Sequence, residues 1–139
     1  MPQTTNSNLL ALDVGDRRVG VASASSDTLL ANPIVTLTND DQLIANIKKL
    51  IEDNSVGTLV VGLPRNLSGE DTEQTVKVRD FIDQLKDQLE VRIVTQDEAL
   101  SSVRAEEELG SHGKIFAKAD VDKLAACLIL EDYINSIKS

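Results

Sequence analysis

The chain has 139 residues, of which 41% are hydrophobic and 27% charged, with 14 Lys and Arg against 23 Asp and Glu for a net charge of −9. That length fits one domain able to bury roughly 70% of its unfolded surface, and the acidic balance weighs against tight, nonspecific binding to phosphate backbones. Phe81, Phe116 and Tyr133 are the only aromatics, so stacking of bases on an aromatic platform is excluded as the main binding mode.

Met1 to Asn8 is polar and reads as a flexible segment ahead of a single domain over residues 9–139. Leu9 to Val14 is an apolar strand, and Arg18 to Ser23 is a second with alternating Val19 and Val21. The linking Gly15-Asp16-Arg17 is turn chemistry, which makes the pair an antiparallel hairpin. Ile34 to Leu37, after Pro33, is a third strand. The period then becomes helical through Leu43, Ile44, Ile47, Leu50 and Ile51, with Thr38, Asn39 and Asp40 as cap candidates.

Thr58 to Leu63 is a continuous apolar strand, the pattern of burial on both faces of a sheet. Its end, Gly62-Leu-Pro64, permits close backbone approach and stops the ladder. The loop Pro64 to Gly69 follows, then a capping box at Asp71-x-x-Gln74 and a helix whose apolar face is Val78, Phe81, Ile82, Leu85 and Leu89. Val91 to Thr95 is the last strand. A helix from about Ser101 to Leu109, a Gly and Lys loop, and a helix from about Asp120 to Ile137 complete the chain. The order βββαβαβαα predicts an α/β fold: a mixed five-stranded sheet, its first three strands antiparallel and the last two parallel, flanked by helices.

Asp13 interrupts the apolar run Leu9-Leu-Ala-Leu-Asp-Val-Gly15, Glu98 follows the fifth strand, and Asp122 precedes the apolar run Leu124 to Leu130. A carboxylate at the end of a buried run is costly to desolvate unless a partner neutralises it, so three at comparable positions point to one shared cation. Acids without paired His or Cys fit magnesium or manganese better than zinc. Phosphodiester hydrolysis at two such ions needs a bridging acid, which is Asp13, flanked by Glu98 and Asp122.

With these residues in place the chain resembles the YqgF/RuvX-like family of ribonuclease H-like nucleases, which acts on Holliday junctions or precursor ribosomal RNA. The resemblance runs from Leu10 to Ile134. It rests on Leu12-Asp-Val-Gly15 with Arg18-Val-Gly-Val-Ala22, on Val60-Val-Gly-Leu-Pro64 with Asn66 and Gly69, on Asp97-Glu98, and on Val121 to Leu130. It implies a ribonuclease H-like fold, with Asp13, Glu98 and Asp122 as catalytic and metal-binding acids and Mg2+ or Mn2+ as cofactor. Ala99 stands where the family commonly has arginine, and Val14 where an aromatic is common; these departures point to reduced activity or an altered substrate on the same fold.

Asp120 competes with Asp122 for the third position, but it is the better helix cap. Asp97 reads as a structural acid or one that supports the metal-binding carboxylates, and Glu106-Glu-Glu108 as a solvated helix face. Arg17, Arg18, Arg65, Lys114 and Lys118 lie in or beside loops near the expected site and are candidates for backbone phosphates, with solvated surface charge as the alternative. His112 has no partner nearby in sequence, and Cys127, within an apolar run, reads as a small core residue.

The leading expectation is a metal-dependent endonuclease on structured nucleic acid that leaves a 5′-phosphate and a 3′-hydroxyl. Its substrate is either precursor 16S rRNA, with the ribosome as a further partner, or branched DNA. The competing classes are an ATP-binding protein of the actin and sugar-kinase type and a catalytically weak ribosome- or nucleic-acid-binding module. The longest apolar runs are about seven residues against the roughly 20 a membrane span needs, and no leader pattern opens the sequence. With its single cysteine, the chain reads as cytoplasmic, a monomer or a two-fold dimer.

Overall fold

The computed structural model describes residues 7–66, 68–98 and 118–138. Five strands, β1 (Asn8–Val14), β2 (Arg18–Ala24), β3 (Ala31–Thr38), β4 (Val56–Pro64) and β5 (Arg92–Glu98), form one sheet in the order β3-β2-β1-β4-β5. β1 pairs antiparallel with β2 and β2 with β3, whereas β1 with β4 and β4 with β5 are parallel. The expected mixed α/β sheet, antiparallel then parallel, is therefore present. Two described helices, α1 (Leu43–Asp53) and α2 (Glu73–Gln88), provide the parallel crossovers, and α3 (Lys118–Lys138) closes the chain. The helix expected over Ser101 to Leu109 lies outside the described residues.

Alternation along the strands sorts the apolar side chains into two layers. Leu10, Leu12, Val19, Val21, Leu59, Val61 and Leu63 pack on one face against Leu43 and Ile47 of α1 and Val78, Ile82 and Leu85 of α2. On the other face Leu9, Ala11, Ala22, Ala24 and Val60 meet Ala126, Cys127, Ile129, Leu130 and Ile134 of α3. Cys127 is buried there and is not part of a disulfide. The sheet face beneath α3 carries Ala11, Ala22 and Ala24, and these small side chains let the helix lie close to the strands.

Several boundaries differ from the sequence reading, each for a local reason. Asn8, placed in the leading segment by its polarity, opens β1: its Nδ2 donates to Asn54 O at 2.8 Å and its Oδ1 accepts from Ser26 N at 3.0 Å. β3 begins at Ala31 rather than after Pro33, because Pro33 lies on an edge strand at a register irregularity, where a missing N–H is tolerated. The capping box of α2 is shifted by one residue to Thr72 and Thr75, whose side chains and backbone N–H groups bond reciprocally. Asp71 instead pairs with Arg65 and Arg79, and Gln74 Nε2 reaches Val14 O at 3.3 Å. At α1 the cap is Gln42 without a side-chain bond, while Asn39 Nδ2 donates to Gly15 O at 2.7 Å and ties the β3 end to the hairpin turn.

Candidate functional site

Asp13 follows four buried residues on β1 and is the cross-strand partner of Gly20 on β2. Leu9 and Ala11 face α3, so alternation puts Asp13 on that face as well. A Cβ at Gly20 would overlap the carbonyl oxygen of Asp122, so the first turns of α3 rest directly on the strand beside Asp13. On β4 a Cβ at Gly62 would overlap the Ile129 side chain. Glycines on both neighbouring strands thus let α3 descend onto the sheet and carry Asp122 to Asp13.

The electrostatics of that approach are unfavourable without a counterion. Burial, and then the negative charge of Asp122, push the Asp13 carboxyl up from 3.8 to about 7. Asp122 is partly compensated: Arg18 Nε donates to its Oδ2 at 2.7 Å, with side chains 36% and 22% exposed. Asp120, the competing acid, is exposed and pairs with Lys123 at 3.7 Å on the same helix. The helix starts at Lys118, so Asp120 lies in its first turn and not at its cap.

Glu98 is the last residue of β5, paired with Pro64 rather than beyond the strand. Val94 packs against α3, so by alternation Gln96 and Glu98 share the face of Asp13. Leu12 pairs with Val61 and Val61 with Thr95, which leaves Glu98 two residues further along and two strands across from Asp13. Strand geometry puts roughly 12 Å between those α-carbons. Among the described residues no group of three His, Cys, Asp or Glu is close enough to hold a metal ion. The fold therefore brings Asp13 and Asp122 together and sets Glu98 on the same face and at the same end of the sheet, apart from them.

Two oxygen donors with one raised pKa fit a hard divalent cation, because such an ion favours the ionised form that burial and the neighbouring Asp122 disfavour. Arg17 is exposed, and its carbonyl accepts from Asn39 N at 2.9 Å. Arg65 is held between Asp71, at 2.5 Å, and Asp97, at 3.4 Å from Nε, and is 22% exposed. It braces the loop after β4 against the end of β5. Lys118 opens α3, whereas Lys114, His112 and Ala99 lie outside the described residues.

Sequence reasoning missed Gly20 and the Arg18–Asp122 pair. The signal for Gly20 was the alternation Gly20, Ala22, Ala24, a row of minimal side chains that only a closely packed helix requires. No local signal links Arg18 to a residue 104 positions away. Gln96, level with Gly62 on the site face, was also passed over.

A family model described as RuvX, Holliday junction resolvase, matches residues 7–136. A proposed pre-16S rRNA nuclease of Chloroflexus aurantiacus is 39% identical over 135 residues, covering 94% of this chain and 88% of its own length. One of Fusobacterium nucleatum is 36% identical over 134 residues, with 93% and 97% covered. In structure the chain is similar to Thermus thermophilus RuvC in complex with a Holliday junction substrate, with TM-score 0.58 and 12% identity over 96% of this chain and 97% of that one. Fowlpox virus resolvase in complex with Holliday junction DNA gives 0.53 and 9% over 96% and 100%. At such identities the structural likeness is one of fold.

Proposed function

The chain belongs to the RuvX family of nucleases, and from that premise we propose that it is a metal-dependent endonuclease that matures the 5′ end of pre-16S rRNA. The observation that carries the reading is the placement of Asp122 beside Asp13 at the end of β1, where burial and then the charge of Asp122 raise the Asp13 pKa to about 7. Such a pair has no structural use that two neutral side chains would not serve better. The proposed pre-16S rRNA nucleases among its relatives match nearly the whole chain, which supports ribosomal RNA as the substrate; the ribosome as partner and the cytoplasm as location belong to the same proposal.

Asp13 and Asp122 are the proposed ligands for Mg2+ or Mn2+, and Glu98, on the same face, completes the acidic set. Bound there, the ion supplies charge neutralisation at the scissile phosphate and an acidified water. Arg18 and Arg17, at the hairpin turn, and Lys118, at the start of α3, are proposed to meet backbone phosphates beside the acids. Arg65 is engaged by two carboxylates, so its contribution is to hold the β4 loop and the β5 end in register.

A second reading, resolution of four-way DNA junctions, is favoured by the description of the matching family. Manganese-dependent cleavage of a pre-16S 5′ extension and of a matched junction, with Asp13→Asn as control, tests both. Cleavage of the RNA that is lost in Asp13→Asn supports the proposal. Preferential cleavage of the junction transfers it to the second reading, and undiminished cleavage by Asp13→Asn removes the site.

A further inference from the structure

Arg18 opens β2 two residues before Gly20, the cross-strand partner of Asp13, and so stands on the face that carries Asp13. Its Nε donates to Asp122 Oδ2 at 2.7 Å, and no other described donor touches that carboxylate. A guanidinium presents five N–H donors in one rigid plane. Here one is used, and the terminal nitrogens have no partner among the described residues.

An aspartate near the start of a helix has several staggered rotamers, and repulsion from Asp13 favours those that swing away. The charge-assisted bond from Arg18 opposes that swing and selects one rotamer, leaving Oδ1 without a described partner. The anchor of this geometry is backbone: Arg18 O accepts from Gly15 N at 2.9 Å across the hairpin turn, and Asp122 rests on Gly20.

On the reading of Asp13 and Asp122 as cation ligands, we propose that Arg18 is a positioning residue that fixes the Asp122 carboxylate beside Asp13 before any cation arrives. Two effects of the arginine on cation binding have opposite signs. Its charge repels the ion, so a residue acting through charge alone would weaken binding, and its removal would strengthen it. Its fork orients a ligand, so a residue acting through geometry strengthens binding, and its removal weakens it. Lysine keeps the charge and loses the planar fork, which separates the two.

The test is Mn2+ titration of the full chain, with binding read by calorimetry or by the electron paramagnetic resonance of free Mn2+, on wild type, Arg18→Lys, Asp122→Asn and the double variant. Arg18→Lys is expected to bind about tenfold more weakly, as removal of a ligand-orienting partner does. Because Arg18 acts through Asp122, the double variant should bind no more weakly than Asp122→Asn alone. Arg18→Gln, which keeps an amide donor without the charge, should also bind more weakly than wild type, and it replaces Arg18→Lys if that variant has a non-native circular dichroism spectrum.

Affinity unchanged or increased in the arginine variants, or losses that add in the double variant, overturns the positioning role. Wild-type binding that disappears in Asp13→Asn but is untouched in Arg18→Lys overturns this role and leaves the metal site standing. No Mn2+ binding by wild type overturns both.

Discussion

The carbonyl oxygen of Asp122 occupies the space a Cβ on Gly20 would need, so the approach of α3 to Asp13 is set by the absence of one methyl group. Gly20→Ala must displace backbone, which has little freedom to yield, and a loss of roughly 1–3 kcal/mol is expected. Gly62→Ala meets the tip of the Ile129 side chain, which has other rotamers, and should cost less. Urea denaturation of the two variants gives the comparison. Equal losses would show that α3 can slide away from Gly20 freely.

Most of the sheet was legible because short apolar runs, as in β1 and β4, alternation, as in β2, and β-branched residues, as at the start of β5, are local signals. β3 was only half visible, since Pro33 reads as the break before Ile34 until the strand is known to be an edge. The acids Asp13 and Asp122 were legible as polar interruptions of apolar runs. That Glu98 stands apart from them, and that Arg18 holds Asp122, depend on register and helix placement, which no window of sequence contains.

Stability should depend on pH through Asp13. Its folded pKa of about 7 exceeds the ordinary 3.8, so the native state holds the proton more tightly than the unfolded chain. Below about pH 4 both states are protonated and nothing is lost; between about 4 and 7 stability falls as pH rises; above 7 the full cost, at most about 4 kcal/mol, is present. Partial exposure of the site reduces that figure. Asp13→Asn should be more stable than wild type at pH 8, and its slope across this window should be shallower, as measured by urea midpoints in EDTA.

Manganese should flatten the same profile. A cation that binds only the folded chain stabilises it by about 2.7 kcal/mol at one hundred times its dissociation constant. It also favours ionised Asp13, so the gain is largest near pH 8 and small below pH 5. Thermal melts with and without Mn2+ at the two pH values check this. A gain of equal size at both, or one that persists in Asp13→Asn, would place the ion elsewhere.

Thr75 is fully buried, and its hydroxyl donates to Pro64 O while accepting from Thr72 N at 2.8 Å. Thr75→Val keeps the shape but leaves both partners unsatisfied, a loss of roughly 1–3 kcal/mol. Thr72→Ala removes only the cap, roughly 1 kcal/mol. Pro64 is also the register partner of Glu98, so Thr75→Val should lower cleavage further than its stability loss explains, whereas Thr72→Ala should not. Single-turnover rates measured well below both melting temperatures separate the two.

The separation of Glu98 from the Asp13 and Asp122 pair gives the three acids different expected phenotypes. Asp13→Asn and Asp122→Asn each remove a donor from the pair, and both Mn2+ affinity and cleavage should fall by about a hundredfold or more. Glu98 lies two strands away from Asp13, and Glu98→Gln should keep the Mn2+ affinity of the pair within a few fold while losing cleavage to a similar extent. If Glu98→Gln instead abolishes Mn2+ binding, the acids close into one compact site in solution, and the end of β5 must move toward β1 to form it. If it cleaves as well as wild type, Glu98 is a surface acid, and the chemistry belongs to the pair on β1 and α3.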